Sequence, residues 1–250
     1  MAAGRQSPAD VFLYVDGFDI TANNPKGITI THTSETERTD GLGDSAIEYS
    51  PVGVTAIELT VDGGLWDTTT NYIHTAMATS LPTAPTASAR VVSLGFAGKT
   101  IGVPCMGATE FQGSYTVLAE QDGLQKANAE YTMTGALDSG MKHVILESAT
   151  KTADWDTESS SVDNAASSSA GGTGYLQVTA MSGFSAFVAK IRDSTNDSSW
   201  ADLITFADQG STIGAERAEV SGTVDRYLSV AGNVTGSGSI TCFISFIRNP

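Results

Sequence analysis

Apolar residues recur at every second position over short runs along most of this chain, which is the period of a half-buried β-strand. One such run is ITITHTSE, from Ile28 to Glu35, and a second, TAIELTV, covers Thr55 to Val61. Between them Thr36 to Val54 reads as a polar, glycine-broken extended loop. Structureless connections beyond about 12–15 residues are uncommon in compact domains and usually mean function or disorder. This one carries Leu42, Ile47, Tyr49, Pro51 and Val54, apolar groups that its own hairpin cannot cover, which points to a partner subunit. After Asp62-Gly63-Gly64 the period changes. The run from Leu65 to Ser80 predicts a helix with Trp66, Ile73 and Met77 on one face, Asp67 or Thr68 as its cap and Pro82 as its stop.

The remaining pattern is again that of strands. VFLYV (Val11 to Val15) predicts a buried strand, turned by Asp16-Gly17 into FDIT. ARVVSLGFAG, GSYTVLAEQ, LQKANAEYTMTGAL and MKHVILE follow as further strands, and close a first domain over residues 1–150 with one flanking helix. Residues 151–173 are rich in Ser, Ala, Asp and Gly and read as a linker. Residues 174–250 hold five or six turn-separated strands, a second small antiparallel sandwich in which Trp200 and Phe206 pack the core. The fold class expected is all-β with one short helix, a sandwich or open barrel followed by a small sandwich.

Composition fits that expectation. Of the 250 residues 40% are hydrophobic, only 16% are charged and 26 are glycine, a turn-rich β composition rather than that of a helical bundle. The formal net charge is −15. Such a surface repels phosphate and argues against tight nucleic-acid binding, although a channel through which DNA must slide has a use for repulsion. Cys105 and Cys242 stand far apart in apolar settings, as buried free thiols do. The N-terminal residues show no apolar signal core, and no window approaches the roughly 18 apolar residues of a membrane span. The expectation is a protein made in a cytoplasm, without membrane insertion.

Chemistry-bearing motifs are weak throughout. SLGFAGKT (Ser93 to Thr100) has the Lys-Thr ending of a phosphate loop but Ser93 where the first glycine belongs, and a strand rather than a helix follows. Gly43-Asp44-Ser45 lacks the elbow pattern of a serine nucleophile, and His32, His74 and His143 lie apart without acidic neighbours, as surface or interface residues. Asp154, Asp156, Glu158 and Asp163, or Asp193, Asn196 and Asp197, offer oxygen ligands, yet neither set has the calcium-loop pattern. Trp155, Trp200 and Tyr175 invite a sugar-stacking reading, against which core packing is the better account of aromatics in a sandwich. No enzyme, cofactor or metal is expected.

Strand, long arm, strand and short helix near the start of an all-β chain resembles the tail-tube (major tail) proteins of tailed bacteriophages, across about residues 10 to 150. The C-terminal stretch YLQVTAMSG…KIRDSTNDSSWADLITF…ITCFISF looks like the β-sandwich appended to many phage tail-tube and other virion proteins. The resemblance implies hexameric rings stacked into a tube within the virion tail, assembled in the host cytoplasm. It implies an arm that reaches the next ring, an acidic-walled channel that DNA crosses without tight binding, and tape-measure, terminator and tip proteins as further partners. Leu42, Ile47, Tyr49 and Val54 are then the inter-ring anchors, with Trp66, Ile73 and Met77 packing the helix. The outer sandwich would touch host-surface glycans weakly. The alternative is a virion decoration or adhesion protein whose C-terminal sandwich binds carbohydrate.

Overall fold

The computed structural model describes residues 10–39, 46, 49–68, 73–78, 89–119, 123–133 and 143–249. Their regular structure is nearly all strand, as the alternation predicts. In chain order the elements are β1 (Phe12–Val15), β2 (Phe18–Asp19), β3 (Gly27–Arg38), β4 (Tyr49–Leu65), α1 (Ile73–Ala78), β5 (Arg90–Gly95), β6 (Pro104–Leu118), β7 (Lys126–Met133) and β8 (His143–Lys151). They continue with β9 (Trp155–Asp156), β10 (Val162–Asp163), β11 (Gly172–Ser194), β12 (Ala201–Thr205), β13 (Gly214–Val220) and β14 (Tyr227–Arg248).

The N-terminal half is a sandwich folded around one long strand. β6 pairs with β5 along its first part, up to Arg90↔Glu110, and with β7 from Glu110 to Leu118, so it belongs to both layers. One layer is β3-β4-β7-β6, antiparallel at each step. Its inner face carries Leu59, Val61, Ala127, Ala129 and Tyr131, which meet Leu13, Val15, Val92, Leu94 and Met106 of the β1-β5-β6 layer. Ile73, Ala76 and Met77 of α1 seal the same core. Successive side chains of a strand point to opposite faces, so the alternate residues Thr29, Thr31, Glu58, Thr60, Glu130 and Thr132 make a polar outer face.

Two long strands build the C-terminal half. β11 and β14 pair from Gly172↔Arg248 to Ser194↔Tyr227, with bulges between Val178 and Ala186. The bulges lie where the ribbon folds over on itself. Gly174 at one end packs against Ile191, Ile204 and Phe206 from the other, so one ribbon supplies both layers of a sandwich. Bulges bend strands and strengthen twist, as a corner requires. At that corner Gly183 (φ +79°) and Gly236 (φ +104°) take backbone angles that side-chain-bearing residues rarely adopt.

Several expectations change. The helix does not begin at Leu65, because Leu65 still pairs with Lys126 and Trp66 N–H donates to Gln125 O at 3.0 Å. Within 65–80 the described helix spans Ile73–Ala78, and Thr69–Tyr72 and Thr79–Ser80 lie outside the described residues. The stretch read as a linker, 151–173, is bonded along β14 through β9 and β10, with Thr157 Oγ1 accepting from Val230 N–H at 2.8 Å. β8, read as the last strand of the first domain, runs beside β14 from Val144↔Phe246 to Lys151↔Ile240 and, among the described residues, pairs with β6 at Pro104 and Cys105 alone. Trp200 is half-buried and lies outside the sandwich core that contains Phe206.

Candidate assembly interface

The arm between the first two long strands is a ribbon in its described part. Thr36 pairs with Pro51, Glu37 with Ser50 and Arg38 with Tyr49. β7 joins β4 only from Glu58 onward, so the two strands beyond that point have no third strand beside them among the described residues. Tyr49, the first residue of β4, stands 64 % exposed. Val54 lies in β4 with its side chain outside the described residues, and Leu42 and Ile47 fall wholly outside them. The strands run further into the arm than alternation predicts, because two polar strands that bond each other need no apolar face.

Both edges of the β3-β4-β7-β6 layer are open among the described residues. β3 pairs only with β4, and β6 from Phe111 to Leu118 pairs only with β7. An unpaired edge presents a row of N–H and C=O groups that template another strand. The directions matter here. With four strands antiparallel in turn, β6 of one copy beside β3 of the next is again an antiparallel pair. Phe111, Val117 and Leu118 on the β6 edge are large apolar residues left exposed, as are Leu65 and Leu124 beside its far end.

The helix is fixed by both grease and polar bonds. Ile73 and Met77, predicted on one face, are fully buried, and Trp66 packs against the same core from the link before the helix. His74, read as a surface or interface group, bonds Tyr115 Oη at 2.9 Å and sits edge-on to Trp66. Beneath the helix lies a buried polar group that sequence reading missed. Arg90 Nε donates to Asp16 Oδ2 at 2.8 Å and its Nη1 to Gln112 Oε1 at 2.6 Å, while Gln112 Nε2 donates to Met77 O at 2.8 Å. The Glu110 carboxyl lies buried nearby without a hydrogen bond among the described residues, and burial pushes it up to about 8. The signal was present: in the TEFQ stretch Glu110 and Gln112 fall on the inward positions of a strand.

At the β3 end away from the arm, Val11, Ile28 and Phe96 floor a cleft of about 500 Å³. Lys26 and Lys99 line it, with Asp19 as the one acidic residue among the described lining residues. Lys99 Nζ lies 3.8 Å from Asp19 and 4.9 Å above the Tyr14 ring centre. An adjoining cleft runs past Leu65, Trp66 and Leu124.

The remaining candidates have other partners. The Lys-Thr ending at Lys99 and Thr100 belongs to the turn beside this cleft, and Gly43-Asp44-Ser45 lies outside the described residues. His143 is buried edge-on to Tyr175, not on the surface, because it starts a strand that both halves cover; the side chain of His32 is outside the described residues. Asp163 pairs with Arg226 at 2.6 Å, which holds its carboxyl down at about 2. Glu158 pairs with Arg192, and Asp193 Oδ2 accepts from Asp225 N–H at 2.8 Å. Asp154 Oδ1 accepts from Val234 N–H and Asn196 Oδ1 from Ser199 N–H. Among the described residues no group of three or more His, Cys, Asp or Glu is placed to hold a metal ion. Tyr175 is fully buried with its hydroxyl accepting from Arg217, and Trp155 stacks on Phe187. Cys105 and Cys242 are free and buried, and burial raises both thiols, Cys105 to about 12. No helix among the described residues is long and apolar enough to cross a membrane.

No protein-family model and no curated protein matches this chain. Among solved structures it is similar to a chain in the virion of a native gene transfer agent particle, at 12% identity and a TM-score of 0.42, over 53% of this chain and 97% of that one. It is also similar to a chain in the C6-symmetric tail of the empty particle, at 12% identity and 0.40 over the same shares. A third is the SPP1 Dit protein, described as a paradigm of the hub adsorption apparatus in phages infecting Gram-positive bacteria, at 10% identity and a TM-score of 0.32, over 95% of this chain and 99% of that one.

Proposed function

We propose that this chain is a structural subunit of a phage tail that polymerises as stacked hexameric rings into the tail tube. The observation that carries the reading is the β3-β4-β7-β6 layer, with two open edges that match in direction and a ribbon projecting beyond it. A contact between unlike surfaces generates a closed ring when its rotation closes, and closure removes the edges. With the axis along the strands, every junction is antiparallel. The second layer, α1 and the C-terminal sandwich all lie on the inner-face side of this sheet, so the bulk belongs outside the ring. The free face with Glu58, Glu130 and its threonines then lines the lumen, a wall that offers DNA no cation-rich grip. The ribbon, parallel to the axis, reaches the next ring, with Leu42, Ile47, Tyr49 and Val54 as its anchors. The role is not enzymatic.

Negative-stain electron microscopy of the concentrated protein tests this. Rings, or hollow tubes with a central lumen, are the expected result. Dispersed, folded monomers across concentration and salt would overturn it.

A further inference from the structure

We propose that the cleft at the foot of β3 is the receptor for the acidic arm of a second copy, an assignment that rests on the tail-tube reading above. Cleft and arm occupy opposite ends of one strand. Gly27 and Ile28, the first residues of β3, line the cleft, and Arg38, its last, faces Tyr49 in the arm. β3 has 12 residues, so the two surfaces stand roughly 40 Å apart along the strand. One molecule therefore cannot satisfy both. Surfaces at opposite ends of a protomer pair head to tail and propagate along an axis, rather than closing a dimer.

The chemistry of the two surfaces matches. From Glu35 to Tyr49 the chain carries five carboxylates (Glu35, Glu37, Asp40, Asp44 and Glu48) against the single cation Arg38, together with Leu42, Ile47 and Tyr49. The cleft answers with Lys26 and Lys99 over an apolar floor of Val11, Ile28 and Phe96, and with Asp19 already engaged by Lys99. In a chain of net charge −15 with 13 Lys and Arg residues, a lining whose described residues hold more cations than acids is unusual. A volume of about 500 Å³ holds a few side chains, the size of an arm tip rather than a domain. Cations at the rim steer and register an acidic segment, while the apolar floor receives its aliphatic and aromatic groups.

The test uses the full chain in two assays. A fluorescent peptide of residues 35–49 is titrated into wild type and into Lys26→Glu, an exposed loop position whose folding is checked by circular dichroism. Saturable binding, weakened about tenfold by Lys26→Glu and by added salt, is the expected result. No binding, or binding indifferent to both, would overturn the assignment. In parallel, tube length is measured by electron microscopy for wild type, for Lys26→Glu and for Lys26→Glu combined with Glu37→Lys and Asp40→Lys. The single variant is expected to give rings that stack poorly, and the combination to regain length. Tubes of unchanged length in Lys26→Glu would remove the cleft from the contact while leaving the tube intact. Absence of rings from wild type itself would instead remove the tail-tube reading, and the peptide titration still decides the cleft.

Discussion

Glu110 carries a carboxyl group buried in a β-sandwich, with no hydrogen bond to either oxygen among the described residues, close to Arg90, Tyr131 and Gln112. Arg90 is committed to Asp16 and Gln112, so among the described residues no hydrogen bond offsets the desolvation of a charge on Glu110. Its folded pKa of about 8, against an ordinary 4.5, means that the folded chain keeps the proton at neutral pH while the unfolded chain has lost it. The folded state binds more protons between those values, so this contribution is fully present below about pH 4.5 and is lost as pH rises through 8. At pH 7 the loss is roughly 3 kcal/mol. Glu110→Gln removes the ionisation. Denaturant midpoints for the variant are expected to fall less steeply between pH 5 and 8 than those of wild type, with the largest gain at the alkaline end. Parallel pH profiles would show that Glu110 does not hold its proton in the fold.

At the scale of elements, the ribbon and the sheet that carries it are separable. Beyond Glu58 the arm strands bond only each other among the described residues, and the buried core begins at Ile57 and Leu59. Replacing residues 36–54 by a short Gly-Ser turn therefore removes no member of the core that the described residues form. Its thermal midpoint is expected to stay close to wild type, since surface changes usually alter stability by within about 0.5 kcal/mol. Rings of this variant are expected not to stack, and normal long tubes in electron micrographs would sink the inter-ring role of the arm. Local pattern revealed such elements unevenly. Ile73 and Met77 are legible because a four-residue spacing of large apolar groups has a local cause, whereas Trp66 reaches the same core from a non-helical link whose position depends on Gln125. β11 reads as two strands because Ser182-Gly183 has turn chemistry, but the bond partners that make it a bulged corner lie about fifty residues away, in β14. The open edges and the lysine cleft have no local signature at all. Both arise only when distant strands are set side by side.

The whole molecule is joined more tightly than a chain of two beads. β13, β11, β14, β8, β6, β5 and β1 form one run of hydrogen-bonded neighbours across both halves. The run curls so that the β1–β2 turn meets β11. Gly17 N–H donates to Gln177 Oε1 at 2.7 Å, and Gln177 Nε2 donates to Val91 O at 3.0 Å, so a buried amide from one half is satisfied by the backbone of the other. A Cβ on Gly17 would stand 2.6 Å from Val178 O, closer than any side chain allows. Inside the curl Phe12, Tyr14, Cys105, Ile145 and Phe243 form a small core to which both halves contribute. Phe243 lies 4.9 Å from Phe12 and 5.4 Å from Tyr14, ring centre to ring centre. Phe243→Ala empties the middle of that core, a change that costs about 3–5 kcal/mol at a buried site. If the junction makes the halves cooperative, calorimetry shows one transition in wild type, and the variant lowers all of it without splitting it. A wild-type profile with two transitions, only one of which moves in Phe243→Ala, would mean that the sandwich melts independently. In a tube, the first outcome means that a load on the outer sandwich is carried straight into the ring wall, because the two share strands rather than a hinge.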